Sequence, residues 1–377
     1  MKINDSIPRA TVSIDLGSIE DNYRAIKSIL SHDVKILCVV KADAYGHGAV
    51  EVTRRLEFIG AGYFGVATLK EAIELRKNSI KSPILVMSGI LPWDNTRPFI
   101  QHNLAPVIYD MEALKRIADE GMGFDSSINI HVKFDTGMGR LGFNQDDVPY
   151  VIEIIKRAKN IHVEGIMSHF SSSEVRDDYG LGQVGRFRDI LNTMRAHGID
   201  PQYVHMANTG AILNYPEAHF NMVRLGIGLY GSYPDLSLMD KIRLKQVMRL
   251  SSRIALIRTF PRGCSLSYGG TFKTGEDKTK IAYIPLGYSD GYPRALSNRG
   301  FVLIKDMRCC IVGRVCMDWI LVDITGHDDF KVGDEVIFMG SGRDGSITAD
   351  EIAHLEGTIP YEVLCRVSRK IQRTYVG

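Results

Sequence analysis

Short apolar runs alternate with amphipathic segments along the first 240 residues of the chain. Residues 16–30 illustrate the second type: Leu16, Ile19, Tyr23 and Ile26 recur at helical spacing, behind Asp15 as a candidate N-cap. Similar helix-like segments cover residues 68–77, 111–120, 148–159 and 184–197. The strand-like runs are residues 36–40, 63–67, 83–87, 105–109, 128–134, 162–167, 202–206 and 221–225. Eight strand–helix units in about 240 residues predict a (β/α)8 TIM-type barrel over residues 1–240, with a doubly wound open sheet as the alternative.

The pattern changes near residue 240. Short β-like runs follow, separated by glycine, proline, asparagine and aspartate, and they predict a mostly β C-terminal domain over residues 241–377. We expect one helix to interrupt it, because Thr348 and Glu351 have capping-box spacing and Gly357 marks a helix end. The β-like runs are residues 247–260, 280–286, 301–304, 309–312, 319–324 and 334–339.

Composition narrows the class of protein. The 377 residues carry a formal net charge of +2 without blocks of like charge, which argues against nucleic acid or an anionic membrane as the main partner. The six cysteines form no Cys-x-x-Cys pair. Neither a signal peptide nor an apolar run of membrane-spanning length is visible, so we expect a soluble cytoplasmic protein.

Four histidines lack metal-ligand spacing, and no metal site is expected. We interpret them as surface or capping residues. They are His32, His102, His131 and His354.

Polar residues follow the predicted barrel strands, where barrel enzymes bind their ligands. Lys41 ends the first strand, and a lysine there is either paired, chemically used, or extended into water. The segments after strands seven and eight, residues 207–210 and 224–228, are small and glycine-rich, as phosphate sites in barrels often are. A phosphate site opposite a lysine suggests pyridoxal phosphate, whose aldehyde forms a Schiff base with lysine.

Six motifs together resemble the alanine racemase family, in its order and over essentially the whole chain. They are residues 39–48 (VVKADAYGHG), 135–140 (DTGMGR), 223–231 (VRLGIGLYG), 266–269 (LSYG), 287–291 (GYSDG) and 313–318 (GRVCMD). The resemblance implies a barrel-type pyridoxal 5'-phosphate enzyme and a homodimer with active sites shared across its interface. It also implies interconversion of L-alanine and D-alanine, which would supply D-alanine for peptidoglycan.

The same resemblance implies a two-base mechanism. Lys41 would bind the cofactor and act on one face of the substrate, and Tyr268 of the partner subunit would act on the other. Arg224, oriented by His205, would face the pyridine nitrogen.

Further roles follow from the matched positions. Cofactor contacts would come from Tyr45, His169, Asn208, Thr209, Gly226, Ile227 and Tyr361. Substrate contacts would come from Arg140 and, across the interface, from Met317 and Asp318. Lys133 matches a lysine that is often carboxylated in this family, and a carbamate there would form an ion pair with Arg140.

Other functions remain open at this point. One is a racemase of serine or another small amino acid. A second is a non-catalytic pyridoxal-phosphate-binding protein, although such a protein would need neither the β domain nor Tyr268. A third is a barrel-type decarboxylase, whose C-terminal cysteine and acidic substrate motifs are not evident here.

Overall fold

A computed structural model describes residues 8–120 and 127–377 of the chain. Eight parallel strands close into a barrel in sequence order, and the first of them, Lys35–Val39, pairs with both Phe64–Val66 and Met222–Leu225. The predicted barrel is therefore confirmed, and the open-sheet alternative is wrong. The first nine strands are β1 Ala10–Asp15, β2 Lys35–Val39, β3 Phe64–Val66, β4 Ile84–Val86, β5 Ala105–Ile108, β6 Ile128–Lys133, β7 Ile161–Met167, β8 Tyr203–His205 and β9 Met222–Leu225.

Helices connect the barrel strands. Helix Met111–Glu120 has the predicted bounds, but helix Asp178–Ala196 begins six residues before the predicted start, because Asp177 caps it by accepting the Gly180 N–H over 2.7 Å. Three helices were not predicted: Ala49–Phe58, Arg97–Gln101 and Thr209–Asn214. The helices of this half are Leu16–Ser28, Ala49–Phe58, Leu69–Lys77, Arg97–Gln101, Met111–Glu120, Val148–Arg157, Asp178–Ala196 and Thr209–Asn214.

The C-terminal part is mostly β, as predicted. Its main sheet has the order β16-β15-β18-β10-β1-β20, with β19 beside β18, and smaller sheets contain β11-β14-β17 and β12-β13. The predicted run 247–260 is two strands, β10 and β11. The strands are β10 Met248–Arg253, β11 Leu256–Phe260, β12 Ser265–Leu266, β13 Phe272–Lys273, β14 Thr279–Ile284, β15 Phe301–Ile304, β16 Met307–Cys310, β17 Ile320–Asp323, β18 Glu335–Ser341, β19 Ser346–Ile347 and β20 Arg373–Val376.

Two helices, not one, lie in this part. Helix Ala349–Glu356 has the predicted Thr348 cap and ends at Gly357 in the left-handed conformation. Helix Pro360–Arg366 follows it and packs against the residues after Lys41, where a side chain at Gly46 would meet the Leu364 carbonyl oxygen at 2.7 Å. The prediction of a single helix was wrong, and the additional helix carries Tyr361 to the barrel.

Strand β1 joins the beginning of the chain to the C-terminal sheet. Val12 pairs antiparallel with Leu250 on β10 and parallel with Arg373 on β20. The first strand of the described residues thus lies in the C-terminal sheet, and the barrel strands follow it.

No helix within residues 8–120 and 127–377 is both long enough and apolar enough to cross a bilayer.

Candidate active site

A cavity lies at the C-terminal ends of the barrel strands. All nine residues predicted to contact the cofactor line it, together with Val39 and Met87, which the sequence did not single out. Its lining is Val39, Lys41, Tyr45, Met87, His169, Asn208, Thr209, Arg224, Gly226, Ile227 and Tyr361. The fold therefore brings together residues that are up to 322 positions apart in sequence.

Lys41 enters this cavity from an unusual turn. The four residues after it, from Ala42 to Tyr45, have φ between 52° and 59° and ψ between 39° and 50°, which is left-handed helical backbone without glycine. Lys41 and Tyr45, four residues apart, both line the cavity. Burial, with a further effect of the positive charge of Arg140, lowers the pKa of the Lys41 amine. Its uncharged form is thereby favoured.

Another part of the cavity wall is a cradle built around Gly226. A Cβ at this position would lie 3.0 Å from the Tyr45 hydroxyl. The Thr209 hydroxyl accepts the N–H of Gly226 over 3.2 Å, and the Tyr45 ring packs 4.8 Å from that of Tyr230, centroid to centroid. Hydroxyl groups and backbone N–H groups beside a glycine are donors of the kind that a phosphate requires.

Arg224 lies in the floor of the cavity and is 1% exposed. Its guanidinium donates to Nδ1 of His205 over 2.9 Å and to Nδ1 of His169 over 2.8 Å. It also donates to the carbonyl oxygens of His205, Ser168 and Met206. Burial, and then the charge of Arg140, lowers the pKa of Arg224 to about 9. Burial and Arg224 also hold the pKa of both imidazoles well below the ordinary histidine value, so both rings are neutral.

His131 was wrongly interpreted as a surface or capping residue. It is fully buried in the barrel interior, and its Nδ1 lies 2.8 Å from Nε2 of His205. The signal was present in the sequence: His131 precedes Lys133 by two residues on β6, so both side chains point to the same face of the strand.

Lys133 is the last residue of β6, and Arg140 lies in the segment that follows the strand. Burial, followed by the charges of Arg224 and Arg140, lowers the pKa of Lys133 to about 8. Asp135 shapes the loop between them, because its carboxylate accepts the backbone N–H of Gly137 and of Arg140. A buried lysine among cations can react as a neutral amine.

Five predicted site residues are not among those that line this cavity: Lys133, Arg140, Tyr268, Met317 and Asp318. Tyr268 is 69% exposed and Met317 is 53% exposed, both on the surface of the C-terminal part. Asp318 accepts hydrogen bonds from Arg9 and Ser289. The loops that carry Tyr268 and Met317 adjoin, since the Ser267 hydroxyl donates to the Arg314 carbonyl oxygen over 2.7 Å. Tyr268, Met317 and Asp318 therefore lie on the surface of the chain and do not line the cavity of that same chain.

The described part of the chain, residues 8–120 and 127–377, contains no cluster of three or more histidine, cysteine, aspartate or glutamate residues that could hold a metal ion.

Models of protein families match both halves of the chain. The model described as "Alanine racemase, N-terminal domain" matches residues 14–234, and "Alanine racemase, C-terminal domain" matches residues 247–375. An alanine racemase of Geobacter sulfurreducens is 38% identical, with 98% of each chain covered. Alanine racemase 2 of Caldanaerobacter subterraneus subsp. tengcongensis is 40% identical, with 99% of this chain and 96% of the relative covered.

The chain belongs to the alanine racemase family. Solved structures agree: an alanine racemase of Clostridium difficile superposes with a TM-score of 0.91 at 37% identity, covering 99% of this chain and 97% of that one. The enzyme of Streptomyces lavendulae, a D-cycloserine producer, superposes with a TM-score of 0.93 at 33% identity, covering 99% and 98%. The family and the enzyme class predicted from the sequence, a racemase and hence an isomerase, are confirmed.

Proposed function

We propose that this member of the alanine racemase family interconverts L-alanine and D-alanine with pyridoxal 5'-phosphate as its cofactor. One observation carries the proposal: Lys41 and Arg224 line the same cavity, which also contains the cradle at Gly226. The cavity offers an amine for the aldehyde of this cofactor, hydrogen-bond donors for its phosphate and a cation for its pyridine nitrogen.

The cofactor would be held at three points. The Lys41 amine would bind its aldehyde, and the hydroxyls of Tyr45 and Thr209 with the backbone at Gly226 and Ile227 would bind its phosphate. Asn208, His169 and Tyr361 complete the wall of the cavity. When bound, the cofactor would supply a carbonyl for the substrate amine and a ring that withdraws electron density from the substrate α-carbon.

Arg224 would lie opposite the pyridine nitrogen. A fixed guanidinium disfavours protonation of that nitrogen, because like charges repel. The chain would thereby limit electron withdrawal by the ring and restrain side reactions. The hydrogen bonds from Arg224 to His205 and to three backbone carbonyl oxygens keep the guanidinium in place.

Racemisation requires proton transfer on both faces of the substrate α-carbon. The Lys41 Nζ would hold or release the proton on one face, and its lowered pKa favours the neutral, basic amine. Tyr268 Oη from a second copy of the chain would do so on the other face. The exposed position of Tyr268 supports a homodimer in which each copy completes the site of the other.

The substrate pocket is expected to be small and cationic. Arg140 would bind the substrate carboxylate, and a carbamate on Lys133 would pair with Arg140. Met317 and Asp318 from the second copy would close the pocket, and the methionine would leave little room for long side chains. D-alanine made in this way would be available for peptidoglycan.

A chiral assay tests the proposal. Purified protein loaded with pyridoxal phosphate and incubated with L-alanine is expected to form D-alanine, faster than it forms D-serine from L-serine. Borohydride treatment of the loaded protein should attach the cofactor to Lys41, as shown by peptide mass spectrometry. The assignment would be refuted if the borohydride label were found on another lysine. It would also be refuted if the protein racemised serine to an equimolar mixture of enantiomers but did not turn over alanine.

A further inference from the structure

A row of polar side chains runs from Arg224 into the interior of the barrel. His205 on β8 and His131 on β6 are fully buried, and Glu164 on β7 is 9% exposed. Interiors of such barrels are usually filled by branched apolar side chains, and a buried carboxylate is unfavourable unless it is well paired. The burial of these polar side chains in the barrel interior therefore needs a physical explanation.

Short distances connect its members. Arg224 Nη1 donates to His205 Nδ1 over 2.9 Å, and His205 Nε2 lies 2.8 Å from His131 Nδ1. His131 Nε2 lies 3.2 Å from Glu164 Oε2 and 3.1 Å from the Tyr63 hydroxyl. The Tyr63 hydroxyl donates to the same Glu164 oxygen over 2.7 Å.

The chemistry of the groups determines where the protons lie. A guanidinium has no acceptor, so His205 Nδ1 must accept and the His205 proton is on Nε2. That proton is donated to His131 Nδ1, which leaves the His131 proton on Nε2, facing Glu164. All three hydrogen bonds then run in one direction, from the cation to the carboxylate, and bonds aligned in this way polarise one another.

The charges at the two ends are complementary. Among the described residues, the Arg224 guanidinium donates to imidazoles and backbone carbonyl oxygens, and Glu164 is the carboxylate that ends this row. The negative charge of Glu164 is stabilised in turn by the two hydrogen bonds from His131 and Tyr63.

We propose that Glu164 is a positioning residue that acts through His131 and His205 to keep Arg224 charged and fixed in the floor of the cavity. As far as it concerns the cofactor, the inference rests on the proposed function, since Arg224 is there assigned to the pyridine nitrogen. A carboxylate in the barrel interior would then affect, through Arg224, how tightly the cavity binds the cofactor and how fast the bound cofactor reacts.

The test compares Glu164→Gln with the matched control Glu153→Gln, an exposed residue of helix Val148–Arg157 that pairs with Arg157. Glutamine keeps an oxygen that can accept from His131 but removes the charge. Pyridoxal phosphate is titrated into each cofactor-free protein, and kcat and KM for both alanine enantiomers are measured on the loaded dimers.

In Glu164→Gln, we expect cofactor affinity and kcat to fall by about 10-fold or more, the range typical of residues that orient a ligand-binding group. KM for alanine should change by less than about threefold, because the row does not face the substrate. Glu164→Asp, which keeps the charge, should recover part of both losses, and Glu153→Gln should match the unmodified protein. A lower melting temperature of Glu164→Gln with unchanged cofactor affinity and kcat would indicate a purely structural role and overturn the proposal.

A second measurement does not depend on the folding of a variant. Nitrogen-15 NMR of histidine-labelled, unmodified protein reports the tautomer of each ring, and we expect His131 and His205 to be neutral with the proton on Nε2. A His205 protonated on Nδ1 would break the row and overturn the inference. An unmodified protein that fails to racemise alanine would instead refute the proposed function, while the tautomer result would still stand by itself.

Discussion

The backbone N–H of Ala42 donates to Oε1 of Glu71 over 2.8 Å. The other carboxylate oxygen of Glu71 accepts the N–H groups of Ala67 and Thr68. Glu71 thus joins the residue after Lys41 to the end of β3 and to the start of the next helix. A left-handed turn of non-glycine residues is unfavourable by about 1–2 kcal/mol per residue and persists only when its surroundings hold it in place. Glu71 is one such restraint.

Replacement of Glu71 by alanine should weaken both folding and catalysis. Three backbone N–H groups lose their acceptor, so we expect a loss of about 1–3 kcal/mol in the free energy of unfolding. Because the freed turn carries Lys41, kcat for alanine should also fall. Urea unfolding of the cofactor-free protein and steady-state kinetics provide the measurements. Glu74→Ala, at an exposed position on the same helix, is the control, and equal effects of both substitutions would contradict the argument.

Ala42→Gly is expected to stabilise the protein. Glycine adopts φ of 54° without the steric penalty of a Cβ, and this relief exceeds the entropy that glycine loses on folding. The expected net gain is about 0.5–1 kcal/mol, measured as a shift in the urea midpoint. Ala25→Gly, inside the right-handed helix Leu16–Ser28, should instead destabilise by about 1 kcal/mol. A destabilisation of similar size in both variants would show that Ala42 is not under strain.

The barrel was predictable because its signal is local and repeated. Each strand is an apolar run followed by polar or small residues, as in Leu37 to Lys41 and in Val223 to Gly226, and the closed order of strands follows from that repetition. The cavity residues were found by their place after the strands and by resemblance to a family.

Other features depend on partners that are distant in sequence. Nothing within residues 42–45 indicates a left-handed turn, because Glu71 and the helix that carries Leu364 impose it from elsewhere in the chain. Strand β1 pairs with residues more than 230 positions away. His131 was misread because a polar residue in a strand can face either water or a polar barrel interior, and the choice depends on His205 and Glu164.

Lys133 should make stability depend on pH. Its pKa is about 8 in the folded protein and near 10.5 when unfolded. Between these values the unfolded chain binds more protons, so stability rises with pH across this window and the group contributes no change below it. In buffer free of carbon dioxide, the free energy of unfolding of the unmodified protein should gain about 2 kcal/mol relative to Lys133→Met between about pH 7.5 and about pH 9.5. If the free energies of unfolding of the unmodified protein and of Lys133→Met changed in parallel with pH, the pKa of Lys133 would not be lowered in the folded protein.

The uncharged form of Lys133, which the lowered pKa makes more accessible, should react with carbon dioxide to form a carbamate and release a proton. We expect a carbamate signal in carbon-13 NMR when the protein is equilibrated with labelled bicarbonate, because a carbamate converts a repulsive group beside Arg140 into an attractive one. Lys133→Met should abolish the signal, and Lys156→Met, on an exposed helix position, should leave it unchanged. A signal that survives in Lys133→Met would assign the carbamate to another amine.

The sharing of active sites can be tested by mixing inactive chains. If Lys41 and Tyr268 of different copies form one site, a dimer of Lys41→Ala with Tyr268→Phe contains one site with both defects and one with neither. Random exchange at equal concentration makes half of the dimers mixed, so activity should return to about a quarter of the unmodified level.

A mixture of Lys41→Ala with Arg224→Ala is the control for this experiment. Both residues line the cavity of the same chain, so every site in the mixed dimer carries one defect and no activity should return. Native mass spectrometry would establish that subunits have exchanged. Exchanged dimers that stay inactive with Tyr268→Phe would show that Tyr268 acts within its own chain or not at all. For Tyr268 to act within its own chain, the Tyr268 loop would have to move from its exposed position. If activity returns only in the mixture of Lys41→Ala with Tyr268→Phe, the second base lies across the subunit interface.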